Sequence, residues 1–172
     1  MTTRRGFMLG GAGLAASTAI GGTLLGAGWA ARAASGETFE VTMTEEEWRG
    51  ILTDEEYRVL REEGTEPAFT SPLNDEKRAG IYHCAGCDQA LYSSEHKYDS
   101  GTGWPSFWKP VGEDAVGLKD DWFLIYKRTE VHCSRCGGHQ GHVFDDGPPP
   151  TGKRHCINGV ALSFKPAESA TG

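Results

Sequence analysis

Five cysteines in this chain fall into two groups by their spacing. Four of them form two Cys-x-x-Cys pairs, Cys84/Cys87 and Cys133/Cys136, and Cys156 stands apart. Two such pairs in a compact domain are typical of a tetrahedral site in which four thiolates bind one zinc ion. Four protein ligands leave no open position for a substrate, so the spacing predicts a single structural Zn2+. The alternatives are iron in the same site, a redox-active dithiol or two disulfides.

Cys156 needs a separate explanation, because a lone cysteine is usually a small buried hydrophobe. Lys153, Arg154 and His155 directly precede it. Cationic or imidazole neighbours lower the pKa of a thiol and so favour the nucleophilic thiolate. Asn158, two residues further along an extended chain, is expected on the same strand face as the thiol. These neighbours favour a chemical role for Cys156 over a purely structural one.

Three short motifs follow one another along the chain around this cysteine. Ser-Gly-Thr-Gly-Trp-Pro-Ser-Phe occupies residues 100–107, Gly-His-Val-Phe-Asp-Asp-Gly-Pro occupies 141–148, and Arg-His-Cys-Ile-Asn occupies 154–158. In this combination the sequence from about residue 44 to residue 164 resembles the peptide methionine-R-sulfoxide reductases, the B family of methionine sulfoxide reductases. The resemblance implies a thiol-dependent reduction of peptide-bound methionine-R-sulfoxide to methionine.

Reduction of a sulfoxide needs three kinds of group. A soft nucleophile attacks the sulfur, an acid protonates the oxygen, and an apolar pocket holds the methyl group. Cys156 is the predicted nucleophile, His139 and His142 are the candidate acid and orienting groups, and Trp104 supplies an aromatic wall. Taken singly, the two histidines could instead be structural, and Trp104 could belong to the core.

The resemblance adds further residues to the site. It implies that Asp146 and Asn158 surround the substrate together with the histidines, and Phe107 and Arg154 are placed among the substrate-binding residues. Asp146 could instead cap a turn, and Phe107 could be core. A zinc-stapled binding module on the same scaffold, with Cys156 catalytically idle, is the alternative function. The intact set of site residues favours the enzyme.

Thr102 departs from the family pattern. Many relatives carry a second, resolving cysteine between the two glycines of the first motif, where this chain has Thr102. With the four paired cysteines committed to metal, no internal thiol remains to reduce a sulfenic acid formed at Cys156. An external thiol must then reduce it, either a thioredoxin-like protein or a small thiol. His155 where tyrosine is frequent, and Gly159 where serine is frequent, remove no chemical role.

The first 33 residues have the features of a twin-arginine signal peptide. Arg4 and Arg5 precede an uncharged stretch rich in Gly and Ala, and Ala-Arg-Ala at 31–33 offers a cleavage site. The predicted organisation is a signal peptide at 1–33, a linker at 34–43, a reductase domain at 44–166 and a tail at 167–172. Export to the periplasm by the twin-arginine translocase would let the protein load zinc before it meets an oxidising compartment. An uncleaved membrane anchor is the alternative, because the stretch is long enough to span a bilayer.

The charge of the chain limits its partners. Its formal net charge is −7, with 17 basic and 24 acidic residues. The predicted leader contains three arginines and no acid, so the remainder is more acidic still. Binding to nucleic acid needs a basic face for the phosphates, and this balance argues against it. The resemblance, and not the charge, implies oxidised proteins or peptides as the substrates.

Two short helices are predicted ahead of the strands. Thr44 with Glu47 and Thr53 with Glu56 form capping boxes, and Gly64 is the predicted stop after the second helix. The predicted apolar faces consist of Trp48, Ile51, Leu52, Tyr57 and Leu60.

From residue 80 the pattern changes to short strands, predicted at 80–83, 90–92, 122–128, 130–133, 142–144 and 155–164. Helices and strands do not alternate here, so the sequence predicts a mainly β fold. The resemblance implies two twisted antiparallel sheets with short N-terminal helices, a four-cysteine zinc site, and the active site on one open face.

Overall fold

The computed structural model describes residues 38–123 and 126–168. The predicted signal peptide and most of the predicted tail lie outside these residues. Within them no helix has the length and apolar character needed to cross a membrane. The described part of the predicted linker is attached to the domain, because Val41 N–H donates to the Arg135 carbonyl at 3.0 Å and the Phe39 ring meets His132 edge to face.

Both predicted helices are confirmed. They span Glu45–Ile51 (α1) and Asp54–Glu62 (α2), and each begins with a complete capping box in which threonine and glutamate satisfy one another's backbone amides. The end of α2 differs from the prediction, because Glu63 and not Gly64 adopts the left-handed conformation, with φ of 55°. Gly64 is needed for a close approach, since a Cβ there would lie 2.8 Å from the Arg58 carbonyl oxygen.

The helices cover one side of the core with a face close to the predicted one. Trp48, Leu52, Tyr57 and Leu60 are buried as expected. Ile51 is 58% exposed and Val59 is fully buried, so these two positions were not assigned correctly from the pattern. Two helices of 7 and 9 residues cannot be stable alone, and this burial is what holds them in place.

Nine strands in the described part of the chain form two antiparallel sheets, as the resemblance implies. The strands are β1 (Gly80–Cys84), β2 (Ala90–Ser93), β3 (Lys97–Tyr98), β4 (Ser106–Phe107), β5 (Val116–Phe123), β6 (Tyr126–Cys133), β7 (His139–Phe144), β8 (Arg154–Ile157) and β9 (Leu162–Pro166). One sheet has the order β2, β1, β9, and the other has the order β3, β4, β8, β7, β6, β5. The mainly β fold class is confirmed.

The single strand predicted at 155–164 is wrong. A short 3-10 helix at Gly159–Ala161 divides it, so that β8 belongs to the six-stranded sheet and β9 to the three-stranded sheet. The backbone turns where Asn158 and Gly159 interrupt the apolar run. Gly159 is required there, because a Cβ would lie 1.8 Å from the Ser71 hydroxyl.

The strand predicted at 122–128 is also wrong. Residues 116–123 and 126–133 form two paired strands, and the second includes the strand predicted separately at 130–133. Two consecutive aspartates just before the predicted strand look like turn residues in the sequence, yet they belong to β5. Asp120 and Asp121 are each held by a cation across the ladder, Lys127 and Arg128 respectively.

Candidate active site and metal centre

Four cysteines meet at one point between the two sheets. Their sulfur atoms all lie within 4.8 Å of one another, with Cys84 to Cys136 at 3.8 Å and Cys87 to Cys133 at 3.5 Å. A tetrahedron with metal–sulfur bonds of about 2.3 Å has edges of about 3.8 Å, so these spacings fit a tetrahedral ion. Disulfide bonds need sulfurs about 2.05 Å apart. The predicted ligand set is therefore brought together and could hold a metal ion.

Side chains from other elements support this cluster. Gln140 Nε2 donates to the Cys84 sulfur at 3.5 Å. Arg61 Nη1 donates to the Cys136 carbonyl at 3.0 Å, tying α2 to the second Cys-x-x-Cys turn. Such outer contacts orient metal ligands and fix their geometry.

The six-stranded sheet carries one residue from each strand in a single cross-strand row. Directly opposed residues share a face of the sheet, with Cβ atoms about 4.5–5.5 Å apart. The row consists of Lys119 on β5, Glu130 on β6, His142 on β7, Cys156 on β8, Ser106 on β4 and Tyr98 on β3. Cys156 therefore has a histidine on one side and a serine on the other.

A bulge in β7 brings the second histidine to the same face. His132 pairs with His139 and Val131 pairs with Gly141, which leaves Gln140 as an extra residue. In a regular strand residues three apart lie on opposite faces. The extra residue cancels that alternation, and the rings of His139 and His142 lie 5.4 Å apart, centroid to centroid.

His139 is held by a buried carboxylate. Its Nδ1 lies 2.8 Å from Glu130 Oε1, and the Lys119 ammonium lies 3.0 Å from the other oxygen of Glu130. Burial alone would raise the pKa of Glu130, but the hydrogen bonds from His139 and Lys119 outweigh it and bring that pKa to about 2. The other ring nitrogen of His139, Nε2, is buried and has no hydrogen-bond partner among the described residues.

His142 is held through its opposite nitrogen. Its Nε2 lies 2.8 Å from Asp121 Oδ2 on β5. Burial lowers the pKa of His142 even though the bond to Asp121 opposes this change. For Asp121, burial would raise the pKa, and the bonds to His142 and Arg128 reverse the direction and lower it.

Cys156 is half-buried on this face, with its sulfur 3.8 Å from the Thr102 hydroxyl. Burial raises the pKa of the thiol, and the bond to Thr102 and the charge of Arg154 offset this only in part. The expected lowering of this pKa by three preceding residues is therefore wrong. Lys153 pairs with Asp145, and His155 points into the core.

Side chains alternate between the two faces of the sheet along β8, so the two residues that precede the thiol lie in different surroundings. His155 contacts the Tyr92 hydroxyl at 3.2 Å, and burial lowers its pKa to about 4, so it is uncharged near neutral pH. Arg154 lies on the face of Cys156, where two hydrogen bonds of 2.9 Å join its guanidinium to Asp146. Asp146 thus contacts Arg154, and it is mostly exposed.

The two aromatic residues of the first motif have different positions. The Trp104 indole N–H donates to the Glu66 carbonyl at 3.1 Å, and the ring lines an open cleft of about 260 Å3 together with Phe69 and Tyr98. Phe107 is fully buried and stacks on Tyr92 at 4.4 Å between ring centroids. The prediction that Phe107 binds substrate is therefore corrected, because its ring belongs to the core.

Asn158 lies directly beyond the end of β8, two residues after Cys156, and it is buried. Its side-chain N–H donates to the Gln140 carbonyl at 3.0 Å, and its oxygen accepts the Glu66 amide N–H at 3.0 Å. Both polar atoms bind main chain, so Asn158 ties the histidine bulge to the loop behind Trp104.

Three carboxylates of this region were not found from the sequence. Glu66 caps the 3-10 helix after Cys156 by accepting the backbone N–H groups of Gly159 and Val160, and burial raises its pKa. Asp121 and Glu130 hold the two histidines. Acids in a loop and on exposed-looking strands resemble solvated residues, and no local motif marks them as buried.

Comparison with known proteins gives one consistent result. The family model called SelR domain matches residues 52–166. The chain is 55% identical over 128 residues to a peptide methionine sulfoxide reductase MsrB of Methanosarcina barkeri, covering 74% of this chain and 90% of that protein. It is 52% identical over 131 residues to the protein of the same name from Pseudomonas putida, covering 76% and 98%.

Proposed function

The chain belongs to the SelR-domain family of peptide methionine-R-sulfoxide reductases, and from that premise we propose that it works through a sulfenic acid on Cys156 without an internal resolving cysteine. The observation that carries this proposal is the setting of Cys156. It is the only one of the five cysteines outside the four-cysteine cluster, and two histidines share its face of the sheet.

The proposed first step transfers oxygen between two sulfurs. The Cys156 sulfur attacks the sulfoxide sulfur and forms a transient bond to it. That bond and the sulfur–oxygen bond of the substrate then break as the oxygen bonds to Cys156. Methionine leaves with two more electrons than the sulfoxide, and Cys156 becomes a sulfenic acid. The thiol proton ends on the sulfenic oxygen, so the step needs no further proton. A thiol whose pKa burial has raised still carries that proton near neutral pH.

The surrounding residues have separate tasks in this proposal. His139 and His142 accept the thiol proton and deliver it to the sulfoxide oxygen. Arg154, fixed by Asp146, places a positive charge on the face where the thiolate forms. The Trp104 ring, fixed through its N–H, is the apolar wall for the methyl group.

Recycling of Cys156 is assigned to an external thiol. Thr102 occupies the position beside the sulfur, and its hydroxyl cannot form a disulfide. Two molecules of a small thiol, or the two thiols of a thioredoxin-like protein, return the sulfenic acid to the thiol and release water and a disulfide. Oxidised proteins or peptides are the proposed substrates.

Mass spectrometry of the protein after exposure to a methionine-R-sulfoxide peptide without reductant tests this mechanism. The expected product has gained one oxygen, about 16 Da, on Cys156, and dithiothreitol removes it. Cys156→Ser is the control and should show no gain. Formation of a disulfide with a cluster cysteine and release of metal would contradict the mechanism. Absence of any turnover with dithiothreitol would contradict the enzyme and favour a binding module.

The four-cysteine cluster is proposed to hold one structural zinc ion. The four sulfurs fit a tetrahedral ion, and an all-thiolate set suits zinc, although it also suits iron. Bound zinc would join the Cys-x-x-Cys turn after β1 to the one after β6. Its place in this protein is to stabilise the fold, since four protein ligands complete its coordination.

Export through the twin-arginine route is proposed from Arg4 and Arg5. Folding and metal loading in the cytoplasm would keep the four cluster thiols from forming disulfides in the periplasm. Replacing both arginines with lysine should retain the protein in the cytoplasm, and fractionation of cells measures this. Unchanged export would exclude the route.

A further inference from the structure

We propose that Glu130 and Asp121 are positioning residues that select which ring nitrogen each active-site histidine presents to the substrate, Nε2 in His139 and Nδ1 in His142. This inference rests on the proposed function, because it assumes that the two rings face the reacting sulfur. It concerns the state of the rings, and so it can be tested without turnover.

The geometry around His139 supports the first assignment. An ionised carboxylate only accepts hydrogen bonds, so the 2.8 Å contact with Glu130 requires the proton of a neutral imidazole to be on Nδ1. Glu130 is itself buried and held at its second oxygen by Lys119. His139 is 3% exposed, and its Nε2 has no partner among the residues that the structure describes. A buried nitrogen of this kind is costly unless a ligand bonds to it.

The contact of His142 supports the opposite assignment. Asp121 reaches it from β5, two strands away, and bonds to Nε2 at 2.8 Å. The neutral ring therefore keeps its proton on Nε2 and has Nδ1 free of it. Asp121 also accepts a hydrogen bond from Arg128, which holds the carboxylate in place.

The face of Cys156 then carries two different ring nitrogens without protons, Nε2 of His139 and Nδ1 of His142. In the neutral state each can take the thiol proton, and the resulting imidazolium can give it to the sulfoxide oxygen. The carboxylate on the far side of each ring stabilises that cation while the proton is held. An amide in place of either carboxylate has both a donor and an acceptor, so it would bond to either tautomer and remove the selection.

Nitrogen-15 NMR of histidine-labelled protein reads the tautomers directly. We expect Nδ1–H in His139 and Nε2–H in His142 in the wild-type protein. Glu130→Gln should give a mixture of tautomers at His139 alone, and Asp121→Asn should do so at His142 alone. Asp120→Asn is the matched control, because Asp120 is the exposed neighbour that pairs with Lys127, and it should change neither ring.

Kinetics with a methionine-R-sulfoxide peptide give a second readout. Each of the two site variants should lower kcat by about 10- to 100-fold with little change in KM, as loss of an orienting partner does. A role in folding alone would lower stability and leave kcat and the tautomers of the folded protein unchanged.

The inference is overturned if wild-type His139 carries its proton on Nε2, or if both variants keep the wild-type tautomers. Should Glu130→Gln not fold, the double variant with Lys119→Met also removes the buried-side cation that Glu130 had neutralised, and its spectrum is read in the same way. Expected tautomers in a protein that reduces no sulfoxide would refute the proposed function and leave the tautomer assignment standing.

Discussion

The four-cysteine cluster and the face around Cys156 are both built around cysteine thiols, but the residues that surround the thiols are brought together in different ways. Each half of the cluster is a turn of four residues, so its geometry is local and only the meeting of the two halves depends on the fold. The face of Cys156 takes one residue from each of six strands and needs a bulge to align its histidines. Each cluster thiol therefore has one of its partners within the same four-residue turn, whereas the partners of Cys156 come from other strands.

The largest effect that would test this contrast is on stability. Replacing Cys87 with serine should release the metal and lower the free energy of unfolding by several kcal/mol, because loss of a structural metal removes folding energy. Metal analysis and urea denaturation measure the two quantities. Cys156→Ser is the matched control and should keep both the metal and the wild-type stability. A metal-free protein that melts like the wild type would show that the cluster has no structural role.

What could be predicted from the sequence follows the same division between features built from local sequence and features built across strands. The Cys-x-x-Cys pairs, the two capping boxes and the antiparallel mainly β fold are visible in short stretches, and the structure has them as predicted. The break between β8 and β9 was visible only as an irregularity at Asn158 and Gly159, since the Ser71 side chain that leaves no room for a Cβ at position 159 comes from a distant loop.

The electrostatic setting of Cys156 could not be predicted for a related reason. Basic residues next to it in sequence suggested a lowered pKa, but alternation along β8 leaves only Arg154 on its face, and burial has the larger effect. The carboxylates that hold His139 and His142 lie on β5 and β6, and only the register of three strands, β5, β6 and β7, brings them together with the histidines. Sequence spacing carries no such register.

A smaller effect should appear in the pH dependence of stability, and it should come from His155 on the core face of β8. Burial lowers the pKa of His155 to about 4 from its ordinary 6.5, so the neutral ring is the form that the folded state favours. Its contribution to stability is therefore complete above pH 6.5 and is lost as the pH falls towards 4. The loss amounts to about 3 kcal/mol, at 1.36 kcal/mol for each pKa unit.

Urea denaturation at several pH values tests this expectation, with His155→Phe as the variant. The difference in stability between wild type and variant should move in favour of the variant by about 3 kcal/mol from pH 7 to pH 4. Glu130, whose pKa is lowered to about 2 in the folded state, also starts to lose its contribution to stability as the pH falls below 4.5, but wild type and variant share it, so it cancels in their difference. A difference that stays constant with pH would show that His155 is not held neutral.

The smallest expected change in the protein is a single substitution that would place a second thiol beside Cys156, as neighbouring thiols are placed in the cluster. Thr102 Oγ1 lies 3.8 Å from the Cys156 sulfur, and the flanking Gly101 and Gly103 both have positive φ, a conformation that glycine adopts without strain. Thr102→Cys should leave the fold and the metal unchanged, because within the described residues Thr102 bonds only to Ser100 and to the thiol.

What should change in Thr102→Cys is the fate of the intermediate. A second thiol beside the sulfenic acid can displace water from it and form a disulfide, provided that the two Cα atoms can approach within about 7 Å. With substrate and no reductant, the variant should then lose two hydrogens where the wild type gains about 16 Da. Thr102→Ser keeps the hydroxyl and should behave like the wild type. A variant that accumulates only the sulfenic acid would show that contact between the two side chains is not sufficient, and that the loop holds residue 102 too rigidly for the bond to form.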